Sequence, residues 1–372
     1  MALNWVIAGG GTGGHVTPAL ALGEAAREAG DRVLFVGSKR GLESRLVPEA
    51  GFDLVALPSQ QVMGRSLVGR ALGALNLLGQ VGAARTALRE AEADCVVSVG
   101  GYAAMPAVLA AIWTRTPLFL VEPNAIPGRV NRFSARFAKR VFVGFEAARQ
   151  RLAKHADDPR IEHLGIPVRA GLIDAFSKVD ARTPDLPPLH LLIFGGSQGA
   201  RQINHAIMRL LPRLAELPIE IFHQAGELDF DDVSAAYEGF AKPAEVVRFE
   251  PDMPNRYGWA DLALCRAGAL TVAELALAGL PSLLVPLPSA ADDHQSANAR
   301  ALADAGAAMA LDPRPLDDDA LLGELSSLCR DGERLARMSK AARGEARPTA
   351  AADIVHRCRT LLGAAGAGGR EA

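Results

Sequence analysis

The chain has 372 residues, of which 49% are hydrophobic and 22% charged, a composition typical of an ordinary globular protein. No apolar stretch reaches the roughly 20 residues that a membrane-spanning helix needs, and no basic segment precedes an apolar core as in a signal peptide. The four cysteines lack CxxC spacing, so we interpret them as reduced thiols rather than as a zinc site or a disulfide framework.

The net charge of −2 conceals an asymmetry between the two halves of the chain. Residues 1–163 carry 19 basic and 14 acidic side chains, whereas the remainder carries 21 and 28. Two segments of the basic half, 54–89 and 123–145, contain basic residues but no acid. This bias favours an anionic partner: nucleic acid, lipid head groups or phosphates.

Short apolar runs alternate with helical stretches through the first half of the chain. The runs typical of buried parallel strands are 4–8, 31–37, 52–57, 95–99, 118–121 and 141–143. A helix is predicted over 18–29, because Pro18 suits a first helical turn. Strand alternating with helix predicts a doubly wound parallel sheet.

The same pattern restarts in the middle of the chain. The run 190–194 leads into Gly195–Ala200 as Val6–Ala8 leads into Gly9–Gly14. Further strands are predicted at 219–224, 246–249, 262–265, 282–285 and 308–311. We therefore expect two α/β domains of similar plan, with a hinge near 163–167 and a frayed glycine–alanine tail from residue 364.

The first glycine-rich turn, Gly9–Gly14, offers backbone N–H groups and a helix N-terminus to a phosphate. It contains G-x-G-x-x-G, but the second strand ends at 37–40 without the acid that binds a ribose, which disfavours NAD. The alternative is a structural tight turn. His15 follows the glycines, where a neutral imidazole can take a proton from a hydroxyl, although a structural role is equally open.

Two further loops resemble the first. Gly195–Arg201, with Ser197, is interpreted as a diphosphate cradle or as a duplicated scaffold turn. The third loop begins at Gly268 and leads into a predicted helix. Thr271 and Glu274 in that helix have the spacing of a capping box. The alternative is that Glu274 binds two ribose hydroxyls. Polar residues also follow other strands: Tyr102, Glu122, Asn124, Asn131, Asp293, His294, Gln295 and Asn298.

No metal site is predicted, because the histidines lack ligand spacing and Asp229–Asp231 and Asp317–Asp319 are interpreted as solvated surface. The apolar positions from Leu67 to Leu78 recur at helical spacing. They predict either a core-facing helix or an apolar surface with a basic rim that rests on an anionic bilayer.

Taken together, these motifs resemble the MurG family, the UDP-N-acetylglucosamine transferases of bacterial peptidoglycan synthesis. The resemblance runs in order along nearly the whole chain. It rests on 10–15, 100–102, 165–169, 195–201, 268–274 and 293–295.

The resemblance implies a GT-B fold, with two Rossmann-like domains that face an interdomain cleft. Residues 1–163 would bind the acceptor and face the membrane, residues 164–346 would bind the donor, and a helix at 347–362 would return to the first domain. The implied donor is UDP-GlcNAc and the implied acceptor lipid I, with lipid II formed by an inverting β-1,4 transfer. No cofactor, metal or nucleic acid is implied. Anionic lipid at the cytoplasmic face of the inner membrane, and cell-wall or division proteins, are the further expected partners.

Residue roles follow from the resemblance position by position. His15 is the expected base and Glu122 the alternative. Thr12, Gly13 and Gly14 would lie at the reacting end, with Tyr102 and Asn131 also touching substrate. Arg169 and the backbone around Phe249–Glu250 would face the uracil, Glu274 the ribose and Asn124 the sugar. The phosphates would be met by Ser197, Ala269, Leu270, Thr271, Val272 and Ala273. Whether His294 or Gln295 contacts the sugar is left open.

Two alternatives remain. A UDP-GlcNAc 2-epimerase would share the fold and the donor but needs no lipid-facing surface. A non-catalytic nucleotide-sugar-binding scaffold at the membrane would keep the loops without turnover.

Overall fold

A computed structural model describes residues 1–58, 67–153, 158–177, 186–196 and 199–363, with the backbone alone for 67–75. The chain forms two compact units. The first comprises Met1–Ala170 and the segment from Arg347 onward, and the second comprises Gly171–Ala346.

The first unit is built on a seven-stranded, wholly parallel sheet of order β3-β2-β1-β4-β5-β6-β7. Its strands are β1 Asn4–Gly9, β2 Arg32–Ser38, β3 Asp53–Leu57, β4 Cys95–Gly100, β5 Leu118–Glu122, β6 Arg140–Val143 and β7 Ile161–His163. Its helices are α1 Gly13–Glu28, α2 Glu43–Glu49, α3 Leu67–Glu90, α4 Met105–Thr114, α5 Arg129–Ser134, α6 Glu146–Leu152 and α15 Ala350–Leu361. The strand order reverses between β1 and β4, the place where such sheets bind ligands.

Both faces of this sheet are buried, which explains the unbroken apolar runs of its strands. Along β1, Trp5 and Ile7 point into one core, while Val6 and Ala8 point into the core on the opposite face. Successive side chains of a strand alternate between faces, so a strand covered on both sides must be apolar throughout.

The last helix, α15, packs on the first unit. Its Ile354 and Cys358 are fully buried in the core that also holds Trp5. The guanidinium of Arg359 pairs with the carboxylate of Asp31, which also accepts a 2.9 Å hydrogen bond from Trp5 Nε1. The chain thus closes the first unit with residues from its far end.

The second unit has a six-stranded parallel sheet of order β10-β9-β8-β11-β12-β13. Its strands are β8 Leu189–Phe194, β9 Ile219–Gln224, β10 Ala244–Val247, β11 Leu262–Cys265, β12 Ser282–Leu284 and β13 Ala308–Ala310. Its helices are α7 Ala170–Ser177, α8 Arg201–Leu214, α9 Phe230–Ala236, α10 Met253–Trp259, α11 Ala269–Ala278, α12 His294–Asp304, α13 Asp318–Leu328 and α14 Gly332–Glu345.

Three elements differ from the sequence-based expectation. Helix α1 begins at Gly13, five residues before Pro18, because extended Thr12 ends the loop and its carbonyl accepts the first helical N–H groups. Strand β10 lies two residues earlier than expected. Strand β7 was not predicted, since this short edge strand contains Glu162 and is only partly buried. Among the described helices, none is long and apolar enough to cross a bilayer.

Candidate functional site

The first glycine loop meets the loop after β4. Gly11 has φ +92° and Gly101 has φ +78°, backbone conformations that suit glycine. A Cβ on Gly101 would lie 2.5 Å from the carbonyl oxygen of Gly10, and one on Gly11 would lie 3.0 Å from Cε1 of Tyr102. The glycines therefore permit two strand ends of the first unit to form one surface.

His15 lies in the first turn of α1 and is half-buried. Its Nδ1 is 3.0 Å from Oγ1 of Thr12. When Nδ1 donates its proton to Thr12, Nε2 becomes the acceptor nitrogen of the neutral imidazole. The pair is therefore compatible with a general base at Nε2, and it equally fits the tautomer in which Thr12 donates to Nδ1.

Glu122, the alternative base, ends β5 and is 2% exposed. Its Oε1 accepts a 3.0 Å hydrogen bond from the N–H of Asn124, and its Oε2 accepts from the N–H of Gly128 at 2.8 Å and from Nδ2 of Asn131 at 3.0 Å. Burial raises the pKa of Glu122, while these donors oppose the shift. The carboxylate holds the 122–131 loop together, and Asn124 and Asn131 are both part of that network.

Arg169 belongs to the first unit, where Nη2 lies 2.6 Å from Oε1 of Glu24 on α1. The guanidinium is 43% exposed. The Arg169 guanidinium is thus paired with the Glu24 carboxylate of α1.

The second glycine loop, between β8 and α8, is held by its neighbours in the second unit. Nε2 of Gln224 donates to the carbonyl of Gly196 at 3.0 Å. A Cβ on Gly199 would overlap the carbonyl oxygen of Ala225, so the loop lies directly on the end of β9. Ser197, the expected phosphate ligand, lies outside the described residues.

Behind this loop lies a buried polar network. Nδ2 of Asn204 donates to Asp229 at 2.9 Å, and Oδ1 of Asn204 is 3.0 Å from Nε2 of His223. Asp229 is 4% exposed, so its interpretation as solvated surface was wrong. The other acidic run fits a surface role, since Asp317 caps α13 and Asp318 pairs with Arg209.

The third loop ends at α11, whose N-cap is Gly268. Thr271 is inside the helix and the capping-box alternative for Glu274 was therefore wrong. Glu274 instead accepts a 3.0 Å hydrogen bond from the hydroxyl of Tyr257. Burial raises the pKa of Glu274 to about 7, against the lowering effect of this bond.

The start of α11 has open backbone donors. Among the described residues no side chain caps this helix, and the first intrahelical bond runs from the N–H of Val272 to the carbonyl of Gly268. The side chains of Ala269 and Val272 are buried, whereas Leu270, Thr271 and Ala273 are half-buried. The N–H groups up to Thr271 are thus available to an anion.

Two more predicted site segments border the same edge of this sheet. The Glu250 carboxylate accepts from Nε of Arg256 at 2.9 Å, and the pKa of Glu250 is lowered by this bond although burial opposes it. In the first turn of α12, Oε1 of Gln295 accepts from the N–H of Leu287 at 2.9 Å, and Nδ1 of His294 lies 2.7 Å from the carbonyl of Ala291.

Sequence reasoning missed three residues that shape these loops: Glu43, Gln224 and Tyr257. Glu43 lies only five residues beyond Ser38, so an acid does follow β2, but it binds the glycine loop itself. Gln224 was predicted as the last residue of a strand, and no functional role was assigned to it. A polar residue at the last position of a buried strand is the signal that identifies it.

Comparison with known proteins assigns the family. The model for the glycosyltransferase family 28 N-terminal domain matches residues 5–143, and that for the family 28 C-terminal domain matches residues 190–354. A Methylococcus capsulatus protein named UDP-N-acetylglucosamine–N-acetylmuramyl-(pentapeptide) pyrophosphoryl-undecaprenol N-acetylglucosamine transferase is 42% identical over 98% of this chain and 100% of its own. A Geobacter metallireducens protein of the same name is 40% identical over 95% and 97%. The chain belongs to the MurG family.

Solved structures agree with this family. The crystal structure of Acinetobacter baumannii MurG covers 96% of the chain and 99% of its own, with a TM-score of 0.79 and 31% identity. A Neisseria meningitidis UDP-GlcNAc 2-epimerase has a TM-score of 0.66 but 13% identity over 98% and 100%, which shows a shared fold alone. The predicted family, the GT-B fold class and the glycosyltransferase activity class are confirmed.

Proposed function

We propose that the protein transfers GlcNAc from UDP-GlcNAc to the C4 hydroxyl of the N-acetylmuramoyl residue of lipid I, which yields lipid II. The observation that carries the proposal is about 40% identity along nearly the full chain to relatives with this name.

The second unit would bind the donor. The open N–H groups of Gly268–Thr271 suit a diphosphate, and Glu274 suits the two ribose hydroxyls because its carboxylate can accept from both. Ser197 would add a phosphate contact. In this unit the backbone around Phe249–Glu250 would contact uracil and His294 or Gln295 the sugar. Two residues of the first unit would add to the donor contacts, Arg169 to uracil and Asn124 to the sugar.

The first unit would supply the base. The acceptor oxygen forms a bond to the anomeric carbon while the bond from that carbon to the UDP oxygen breaks, and UDP leaves with the electron pair. We assign the hydroxyl proton to Nε2 of His15, because the oxygens of Glu122 are buried and occupied by three N–H donors. Each well-placed backbone donor to the departing charge contributes about 3–4 kcal/mol.

The acceptor stays in the bilayer, because its polyprenyl chain is too apolar to enter water. The enzyme therefore needs a surface that contacts the membrane. Leu78 on α3 and Trp113 on α4 are each 62% exposed, and the guanidinium of Arg85 lies 5.2 Å from the Trp113 ring centroid. We infer that this patch, which we call the Leu78–Trp113 surface, contacts anionic lipid at the cytoplasmic face of the inner membrane.

The test is transfer of radiolabelled GlcNAc from UDP-GlcNAc with and without a lipid I analogue. A lipid-linked disaccharide that forms only with the acceptor supports the proposal. Formation of UDP-ManNAc from UDP-GlcNAc alone would instead identify an epimerase. Binding of UDP-GlcNAc without any turnover would leave the non-catalytic scaffold.

A further inference from the structure

A buried carboxylate lies beneath the first glycine loop. Glu43, the first residue of α2, is 0% exposed. Its Oε2 accepts a 2.9 Å hydrogen bond from the N–H of Gly11, and its Oε1 accepts a 2.8 Å bond from the N–H of Ser38. A single side chain therefore ties the glycine loop to the end of β2, across 32 residues of sequence.

Three glycines are packed around this carboxylate. A Cβ on Gly10 or on Gly41 would overlap the Glu43 carboxyl group, and one on Gly37 would lie 2.6 Å from its Cγ. Real Cβ atoms do not approach neighbouring atoms this closely, so any larger residue would have to displace Glu43. The loop and the β2–α2 turn are thus shaped to enclose this one side chain.

The clamped segment leads directly to the reacting groups. Gly11, held by Glu43 on its N–H, lies beneath the ring of Tyr102 and precedes Thr12. Thr12 in turn is paired with His15 through the 3.0 Å contact of Oγ1 with Nδ1. A shift of the Gly11 backbone would therefore move Thr12, His15 and Tyr102 together.

We propose that Glu43 is a positioning residue for glycosyl transfer: its carboxylate fixes the first glycine loop and, through Thr12, aims His15 at the acceptor hydroxyl. The proposal rests on the function proposed above for this site. Glu43 touches no substrate. A base displaced by about 1 Å can lose about 100-fold in rate, so loosening this clamp costs turnover even when the fold survives.

The decisive variant is Glu43→Gln, which keeps the shape but turns one acceptor oxygen into an NH₂ group that faces an N–H donor. We expect kcat for transfer to a lipid I analogue to fall 10- to 100-fold, with UDP-GlcNAc affinity unchanged because the hydrogen bonds of the Glu43 carboxylate go to Gly11 and Ser38, neither of which is assigned to the donor. The matched control is Glu49→Gln at the other end of α2, where the side chain is 56% exposed. It should leave kcat unchanged.

A double-mutant cycle separates positioning from loss of structure. If Glu43 acts through His15, Glu43→Gln should have little further effect on the residual rate of His15→Ala. An equal fold-loss in both backgrounds overturns the proposal, and so does a wild-type kcat in Glu43→Gln. If Glu43→Gln does not fold, Glu43→Asp replaces it, because it retains the charge and withdraws the oxygens by one methylene. Absence of transfer by the wild-type protein would instead refute the proposed function.

Discussion

His15 and Glu122 differ in how their ionisable atoms are engaged, and this difference favours His15 as the base in the mechanism we propose. Replacing His15 by Ala should lower transfer by ~10²–10⁴-fold, the typical contribution of a general base. Donor affinity should remain, because His15 is assigned to the acceptor hydroxyl and to no part of the donor. Single-turnover assays with saturating UDP-GlcNAc, together with calorimetry of UDP binding, measure the two quantities. His356→Ala, at an exposed position on α15, is the control. An undiminished transfer rate in His15→Ala would contradict the assignment of His15 as the base and favour Glu122.

Glu274 is the residue whose ionisation should set the pH dependence of donor binding. Its pKa is raised to about 7, so the carboxylate forms only as the pH rises through neutrality. Bonds to a charged acceptor are stronger than neutral ones by about 1 kcal/mol, so with a midpoint near neutrality UDP-GlcNAc should bind roughly three- to fourfold more tightly at pH 8 than at pH 6. UDP-GlcNAc is the probe to use, since its diphosphate has no terminal group that titrates here.

Two variants test this assignment by calorimetry at several pH values. Glu274→Gln should bind more weakly at pH 8 and lose the dependence on pH. Tyr257→Phe removes a hydrogen bond that lowers the Glu274 pKa, so the midpoint should move to higher pH. A pH dependence that persists in Glu274→Gln would show that another group carries it.

At the scale of elements, helices α3 and α4 present the Leu78–Trp113 surface. The double variant Leu78→Glu/Trp113→Glu should abolish most binding to anionic vesicles, because it removes the apolar contact and adds charge that the lipid repels. Wild-type binding should weaken with salt without vanishing, since screening removes about 1 kcal/mol for each nearby basic residue but leaves apolar burial intact. Flotation with vesicles at two salt concentrations measures both effects.

The matched control is Leu228→Glu, a 79% exposed leucine in the second unit. It should float with vesicles as the wild-type protein does. Equal loss in the control, or no binding of the wild-type protein at low salt, would contradict the assigned surface. Leu67–Leu75, the other apolar positions of the predicted stripe, have side chains outside the described residues.

For the molecule as a whole, the return of the chain to the first unit depends on Gly165. This residue has φ +93°, and a Cβ there would lie 2.5 Å from Cβ of Arg347, where the segment before α15 passes. Gly165→Ala should destabilise the first unit by about 2 kcal/mol or more, from backbone strain and overpacking. Denaturant unfolding followed by circular dichroism provides the measurement. Gly171→Ala, with nothing within 4 Å of its added Cβ, should change little.

Much of the fold could be predicted from the sequence. Strands such as β1 and β4 are apolar on both sides because both faces of a parallel sheet are covered, and this leaves an unbroken run in the sequence. Strand β7 left no such run, because an edge strand is only partly covered. Helix α1 was predicted too short, since the glycines at its start carry no helical signal of their own.

The candidate site could be predicted from the sequence only in part. The three glycine loops lie between strand and helix as predicted, because such turns leave glycine-rich segments a few residues long. The burial and the hydrogen-bond partners of each carboxylate were not predicted. Whether Glu122 is buried and bonded, and whether Glu274 meets Thr271 or Tyr257, depends on residues that are not local neighbours.

The sequence by itself determined the two-unit α/β plan, the placement of the glycine loops and the family. The plan and the loops depend on periodicity and on turn residues within a few positions of one another, and the family rests on the resemblance of the motifs to known members. Only the tertiary structure decided that Glu43 binds the N–H of Gly11, that Tyr257 donates to Glu274 and that Glu122 is buried and accepts from its own loop. Desolvation and hydrogen bonding set the role of a carboxylate, and both arise from contacts between segments that lie far apart along the chain.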